Sequence, residues 1–383
     1  MITKRKKAIL LAASALSVTS TLAFAQDAQT QAELDALRAR VEALEAANPG
    51  SGTGDLRIGN TTLDVYGYIK ADFFYDFEFD QGDTAFVNVI GEPSAATSGT
   101  FGATVRQSRI GLRTSTPSAI GEIGGQLELD LFASNGTAEL RLRHANITIG
   151  DNWLIGQTWT NFMPLDTYPT SVEFNGPVGI PFARVPQVRY SNRFATNTTF
   201  STSIEENVGG SNSNDPVLTA AVEYNDGTYV ARASALYGKA EGGGVEVDQT
   251  GFTVSGSIRP WEGGLFQVNY VNGQALGPYM IGLGDPVVGG QANDVDGYTI
   301  EFRQDLGPKW NVGISHGRES YDLPTSTGTL SFTELETIHV NAFYKATDNL
   351  TLSAEYIYGE RNDAPTGRTF DGNRVQVAAQ LNF

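Results

Sequence analysis

From Leu56 to Phe383 the chain repeats one pattern: apolar and polar side chains alternate residue by residue, in short segments separated by turn-forming residues. The last segment is the plainest. Val375, Val377, Ala379, Leu381 and Phe383 alternate with Arg374, Gln376, Ala378, Gln380 and Asn382. In the segment before it, Leu350, Leu352, Ala354, Tyr356 and Tyr358 oppose Thr351, Ser353 and Glu355. A period of two belongs to strands, whose successive side chains point to opposite faces. Charged and amide side chains (Glu301, Arg303, Gln267, Arg374, Gln380) sit in the middle of one face, while aromatics gather at the ends of the other. A soluble β-sandwich shares the alternation but leaves its polar face in bulk water. A membrane barrel turns the apolar face to lipid and encloses the polar one, with aromatic girdles at both interfaces. Past the first 25 residues no window resembles a membrane helix, so contact with a bilayer requires a closed barrel, which alone pairs every backbone group.

The N-terminus favours the barrel. Lys4, Arg5, Lys6 and Lys7, the apolar run from Ala8 and the Ala23-Phe24-Ala25 site read as a secretory signal over residues 1–25. The competing membrane anchor is interrupted by Ser17, Thr19, Ser20 and Thr21. Residues 26–48 read as a periplasmic coiled-coil helix. Leu34, Leu37, Val41 and Leu44 carry the a/d rhythm, on a helix too short to stand without a partner. The alternative there is a charged stalk. Residues 49–55 are a Gly/Ser linker, and residues 56–383 form the barrel domain. The formal net charge of −17 argues against nucleic-acid partners. With no cysteine and three scattered histidines (His144, His316, His339), no metal site, cofactor site or hydrolase triad is marked out. The chain does not read as an enzyme.

Sixteen candidate strands can be counted, giving an all-β, 16-stranded antiparallel transmembrane barrel with both termini on the periplasmic side. Short turns such as Gly150-Asp151-Asn152 alternate with long connections near 80–100, 161–185, 206–216, 274–292 and 321–330. The connection at 161–185 holds Pro164, Pro169, Pro177 and Pro181 together with Asp166, Glu173 and Arg184. Proline stiffens a loop, so an ordered pore-constricting segment is expected, with an extracellular cap as the other possibility.

Arginines concentrate between residues 101 and 193, where lysine is absent. Parity against Ile110, Leu112, Val188 and Tyr190 turns Arg109, Arg113, Arg189 and Arg193 toward the lumen. Arg141 and Arg143 are ambiguous. Leu140 and Leu142 turn them inward, whereas Ala145, Ile147 and Ile149 give the opposite parity unless a bulge near His144 shifts the register. A lipid-facing arginine costs about 2–4 kcal/mol at mid-depth, which favours the inward placement. Arg232, Arg303 and Arg374 would line other strands. Such a row suits weak, successive binding of anions, unless nearby acids such as Glu128, Asp130 and Glu139 neutralise it.

Leu140-Arg141-Leu142-Arg143-His144-Ala145, Gly156-Gln157-Thr158-Trp159-Thr160-Asn161-Phe162, Pro186-Gln187-Val188-Arg189-Tyr190 and the terminal Leu381-Asn382-Phe383 resemble the DcaP-like trimeric outer-membrane porins. The resemblance implies a homotrimer in the outer membrane of a Gram-negative bacterium and a third loop folded into the pore. It also implies passive diffusion of small anionic solutes, dicarboxylates among them, with Phe383 as the signal for the barrel-assembly machinery. A general or sugar-tolerant porin and a barrel that tethers the envelope remain the alternatives.

Overall fold

The computed structural model describes residues 56–94, 97–133, 138–209, 215–327 and 330–383. The export signal, the helix at 26–48 with Leu34, Leu37, Val41 and Leu44, and the linker at 49–55 lie outside the described residues. Two compact units divide at Gly59, and the second, Asn60–Phe383, is the barrel.

Sixteen antiparallel strands close on themselves. In chain order they are β1 (Thr61–Asp76), β2 (Thr100–Thr104 continued by Arg109–Ser118), β3 (Gly121–Asp130), β4 (Arg141–Ile149), β5 (Trp153–Trp159), β6 (Arg184–Ala195), β7 (Thr198–Glu205) and β8 (Val217–Asn225). The second half comprises β9 (Tyr229–Gly242), β10 (Val245–Ile258), β11 (Gly264–Gln274), β12 (Asp294–Leu306), β13 (Trp310–Thr327), β14 (Leu330–Lys345), β15 (Leu350–Asp363) and β16 (Thr369–Asn382). Closure runs from Tyr68 opposite Asn382 to Asp76 opposite Arg374. It is finished by two 3.1 Å backbone bonds between Gly67 and Phe383.

Alternation places the apolar set outside. Ile110, Val188, Ile314, Val340 and Val377 are each about half exposed on the outer face, while their polar neighbours are buried within. β2 is broken at Val105–Ser108, where the Ser108 hydroxyl accepts from the Lys70 N–H (3.0 Å) and donates to the Lys70 carbonyl (3.2 Å), standing in for the missing ladder. One expectation needs correction. No long connection occupies 321–330. β13 runs to Thr327 and β14 starts at Leu330, and a register shift between Ser320 and Thr325 absorbs Pro324. Proline is tolerated at such a bulge, which is why a loop-like composition lies in a strand.

The wall is uneven: β5 has 7 residues and β13 has 18. Beside the longer strands the interior is filled by buried apolar side chains. Val87 and Ile90 from the first long loop, Phe162, Val178 and Ile180 from the loop after β5, and Leu276 and Met280 from the loop after β11 pack on Leu335, Phe332 and Val295.

Candidate functional site

The long connection after β5 spans 160–183, two residues short of expectation at its end, because Arg184 is already the first residue of β6. Its proline-rich path follows the inner wall and is held by backbone groups. Glu205 accepts the Asn161 N–H (2.8 Å), Glu301 the Thr170 N–H (3.0 Å), and Glu319 the Gly179 N–H (3.2 Å). Glu355 accepts the N–H groups of both Val172 (3.0 Å) and Glu173 (2.7 Å) with one oxygen. Its other oxygen meets Asn341 (3.0 Å) and His339 (3.3 Å). All four glutamates are buried. An ionised carboxylate is acceptor-only, so it suits a run of N–H groups that a proline-rich loop cannot pair internally. From the other side Lys70 donates to the Val172 carbonyl and pairs with Asp72 (3.0 Å). Gly179, at φ +90°, lies flat on the wall, and a Cβ there would strike the backbone oxygens of Tyr298 and Arg318.

Glu173 accepts the N–H groups of Ala85 (3.0 Å), Asn175 (2.6 Å) and Gly176 (3.0 Å). Burial pushes its carboxyl above the usual range, against the pull of His339 and the Ala85 N–H. Burial likewise raises the Tyr168 phenol. Asp166 is exposed and accepts a bond from Asn225 (3.2 Å).

The arginines divide into two groups. In the first, the guanidinium is committed to an acid. Arg374, fully buried, forks onto both oxygens of Asp76 (2.7 Å each). Arg303 pairs with Glu301 (2.9 Å) and donates to the Thr170 carbonyl (3.2 Å). Arg232 pairs with Glu223 (3.0 Å) and donates to the Asn161 carbonyl (2.7 Å). Arg141 forks onto Asp130 (3.0 and 2.6 Å), and Arg143 bridges Glu128 (2.7 Å) and Asp130 (2.9 Å). The pairing of Glu128 with His144 and Leu129 with Leu142 leaves Arg143 as the extra residue of a bulge, which buries Arg143 and His144 in succession. Arg109 stands 3.4 Å from Glu128, and Arg113, about half exposed, 3.7 Å from Asp64.

The second group lies on β6. Arg189 donates to Gln187 (2.8 Å) and to the Trp159 carbonyl. Arg184 covers the Trp159 ring at 4.7 Å, and its Nη1 is buried without a hydrogen-bond partner. Arg193 is exposed beside an opening of about 640 Å³ bordered by Asp151, Asn152 and Thr199. Among the described residues none of these three forms an ion pair. Sequence reasoning did not single out Lys70, Phe174, His339 or the anchoring glutamates. The inward parity of Glu301 and Glu355 was readable, but nothing local says that a loop backbone lies against them.

A barrel with a loop laid against its inner wall has close structural relatives. The outer membrane channel DcaP of Acinetobacter baumannii superposes with a TM-score of 0.77 at 23% identity, covering 86% of this chain and 100% of that one. An anion-selective porin from Comamonas acidovorans gives 0.62 at 13% identity, with 84% and 100% covered. OmpF of Salmonella typhi gives 0.59 at 11% identity, with 86% and 100% covered. These likenesses establish the fold of an outer-membrane channel. No curated protein sequence matches the chain. The profile described as DcaP outer membrane protein matches residues 29–241, more than half of the sequence. An outer-membrane barrel of this kind resides in the outer membrane of a Gram-negative bacterium, and the chain belongs to the DcaP outer membrane protein family.

Proposed function

We propose that the protein is a porin for passive diffusion of small hydrophilic solutes, with a preference for small organic anions, dicarboxylates among them. The observation that supports this most is the set Arg184, Arg189 and Arg193, guanidinium groups of one strand that form no ion pair among the described residues. The nearby acids are already committed: Glu128 and Asp130 to Arg141 and Arg143, and Glu205 to the Asn161 N–H. A permanently charged, planar fork binds carboxylates weakly and repeatedly, which suits passage. The relative from Comamonas acidovorans, whose description calls it anion-selective, is consistent with this reading.

Planar-bilayer recording across a KCl gradient tests it. The wild type should give steps with an anion-biased zero-current potential, and replacing Arg184, Arg189 and Arg193 together by glutamine should move that potential toward zero. An unbiased wild type would favour the general, sugar-tolerant porin. Silence would favour the envelope tether, whose supporting observation is the apolar core that three loops build inside the barrel.

The working unit in this proposal is a homotrimer, helped by the 26–48 helix through Leu34, Leu37, Val41 and Leu44. The mass of the detergent-solubilised assembly checks it, and a monomer would refute it. Phe383, paired to Gly67, is assigned as the signal for the barrel-assembly machinery, and wild-type assembly kinetics after its replacement by alanine would count against that role.

A further inference from the structure

The tip of the long loop sends one ring across to the arginines of β4. Phe174 follows Glu173, whose N–H is held by Glu355 at 2.7 Å, and precedes Asn175, whose N–H is held by Glu173 at 2.6 Å. Both neighbours are buried, so the backbone carrying the ring is fixed on either side. The ring centroid lies 4.4 Å from that of Phe132. The guanidinium carbons of Arg141 and Arg143 stand 5.4 and 5.9 Å from it. Phe182 continues the contact at 6.5 Å and stacks on Trp159 at 4.8 Å, the ring that also bears Arg184.

Phe174 does not belong to the buried apolar cluster of the interior, and its ring stays partly exposed against two cations. Placement for apolar burial alone would not give that setting. Two nitrogens of each guanidinium are committed, those of Arg141 to Asp130 and those of Arg143 to Glu128 and Asp130. The remaining N–H groups and the positive charge are what those arginines could still offer a solute, and both cations stand over this ring.

We infer that Phe174 is a specificity-determining residue at the constriction: it narrows the gap between loop and wall, and it screens Arg141 and Arg143 from passing solute. The assignment rests on the porin reading and deepens it. Contact with anions then falls to the β6 arginines, while the β4 pair acts as a shielded reserve of positive charge. Removing the ring both widens the gap and takes away the group that stands between two guanidinium cations and the solute, so size and charge preference change together.

Unit conductance and zero-current potential in a KCl gradient, measured for wild type, Phe174→Ala and Phe174→Leu, test this. Phe174→Ala should raise the unit conductance and move the potential further toward the anion side. Phe174→Leu, which keeps most of the bulk, should hold the wild-type conductance. Heat-modifiable gel mobility shows that each variant has closed its barrel. Wild-type conductance and potential in folded Phe174→Ala overturn the assignment and leave the porin reading standing. A wild type that never conducts overturns both.

Discussion

Two sides of the barrel interior use charge in opposite ways. Along β7 to β15 the charges are chiefly carboxylates, buried and aimed at loop backbone: Glu205, Glu301, Glu319 and Glu355 each hold at least one N–H of the 160–183 segment. Along β2 to β6 they are chiefly guanidinium groups laid on aromatic rings, with Arg113 over Tyr66 at 3.7 Å, Arg106 over Phe132 at 4.6 Å and Arg184 over Trp159 at 4.7 Å. An acid that accepts several N–H groups has its charge stabilised by the loop it holds, whereas a stacked arginine leaves its N–H edge open while its ring contact covers only part of it. A formal charge of −17 therefore says little about the field a solute meets inside. The acidic side anchors the loop, and on the basic side the β6 arginines, which form no ion pair among the described residues, are left to meet solute.

The sharpest way to break that division is at Arg374 on β16, the strand that closes the barrel between the two sides. With Asp76 it forms a fork in which neither side chain is exposed, and it also donates to the Gly82 carbonyl (2.6 Å). Arg374→Met leaves Asp76 charged and buried without its partner, at a cost of about 3–5 kcal/mol. The expected result is a marked fall in the temperature at which the folded gel band is lost, with no change in zero-current potential for the fraction that folds. A stable variant with altered ion preference would place Arg374 among the conducting arginines and dissolve the distinction.

Glu355→Gln should have a smaller effect, confined to the loop. Glutamine has one acceptor oxygen where the carboxylate serves four donors, so one or more of them goes unpaired, at about 1–3 kcal/mol. Proteolytic nicking within 160–183 and open-channel current noise should both rise, while thermal stability of the barrel stays close to wild type. Equal protection of the loop in the variant would mean that proline stiffness alone positions it.

The sequence makes much of this legible, for a physical reason. Strand parity is local, so closure, strand count and the inward turn of Glu301 and Glu355 follow from a period of two. The same parity stalled at Arg143, because a bulge is one extra residue whose position depends on the partner strand. Pro324 misled for a related reason: a proline in a polar run resembles a loop until the neighbouring strand shows a register shift that accommodates it. Arg184 was assigned to the loop because Val185 and Pro186 blur the strand start. The anchoring role of the glutamates was not readable at all. Their partners are N–H groups far away in sequence, 182 residues in the case of Glu173 and Glu355.

Arg113 sharpens the comparison from the basic side and carries the smallest expected effect. Its side chain is 55% exposed, its acid Asp64 is 44% exposed, and 3.7 Å separates them. A pair so open to water contributes about 0–1 kcal/mol to stability, so Arg113→Gln should leave the unfolding temperature unchanged within error. Its charge nevertheless acts on any ion passing within a screening length, about 10 Å at 0.1 M salt and about 3 Å at 1 M. The shift in zero-current potential should therefore be measurable in dilute KCl and vanish in concentrated KCl, whereas the shift produced by the β6 variant, where Arg184 and Arg189 are more buried, should persist to higher salt. Equal salt sensitivity of the two variants would show that both sets act as a distant field, and that the more buried β6 arginines make no close contact with the passing anion.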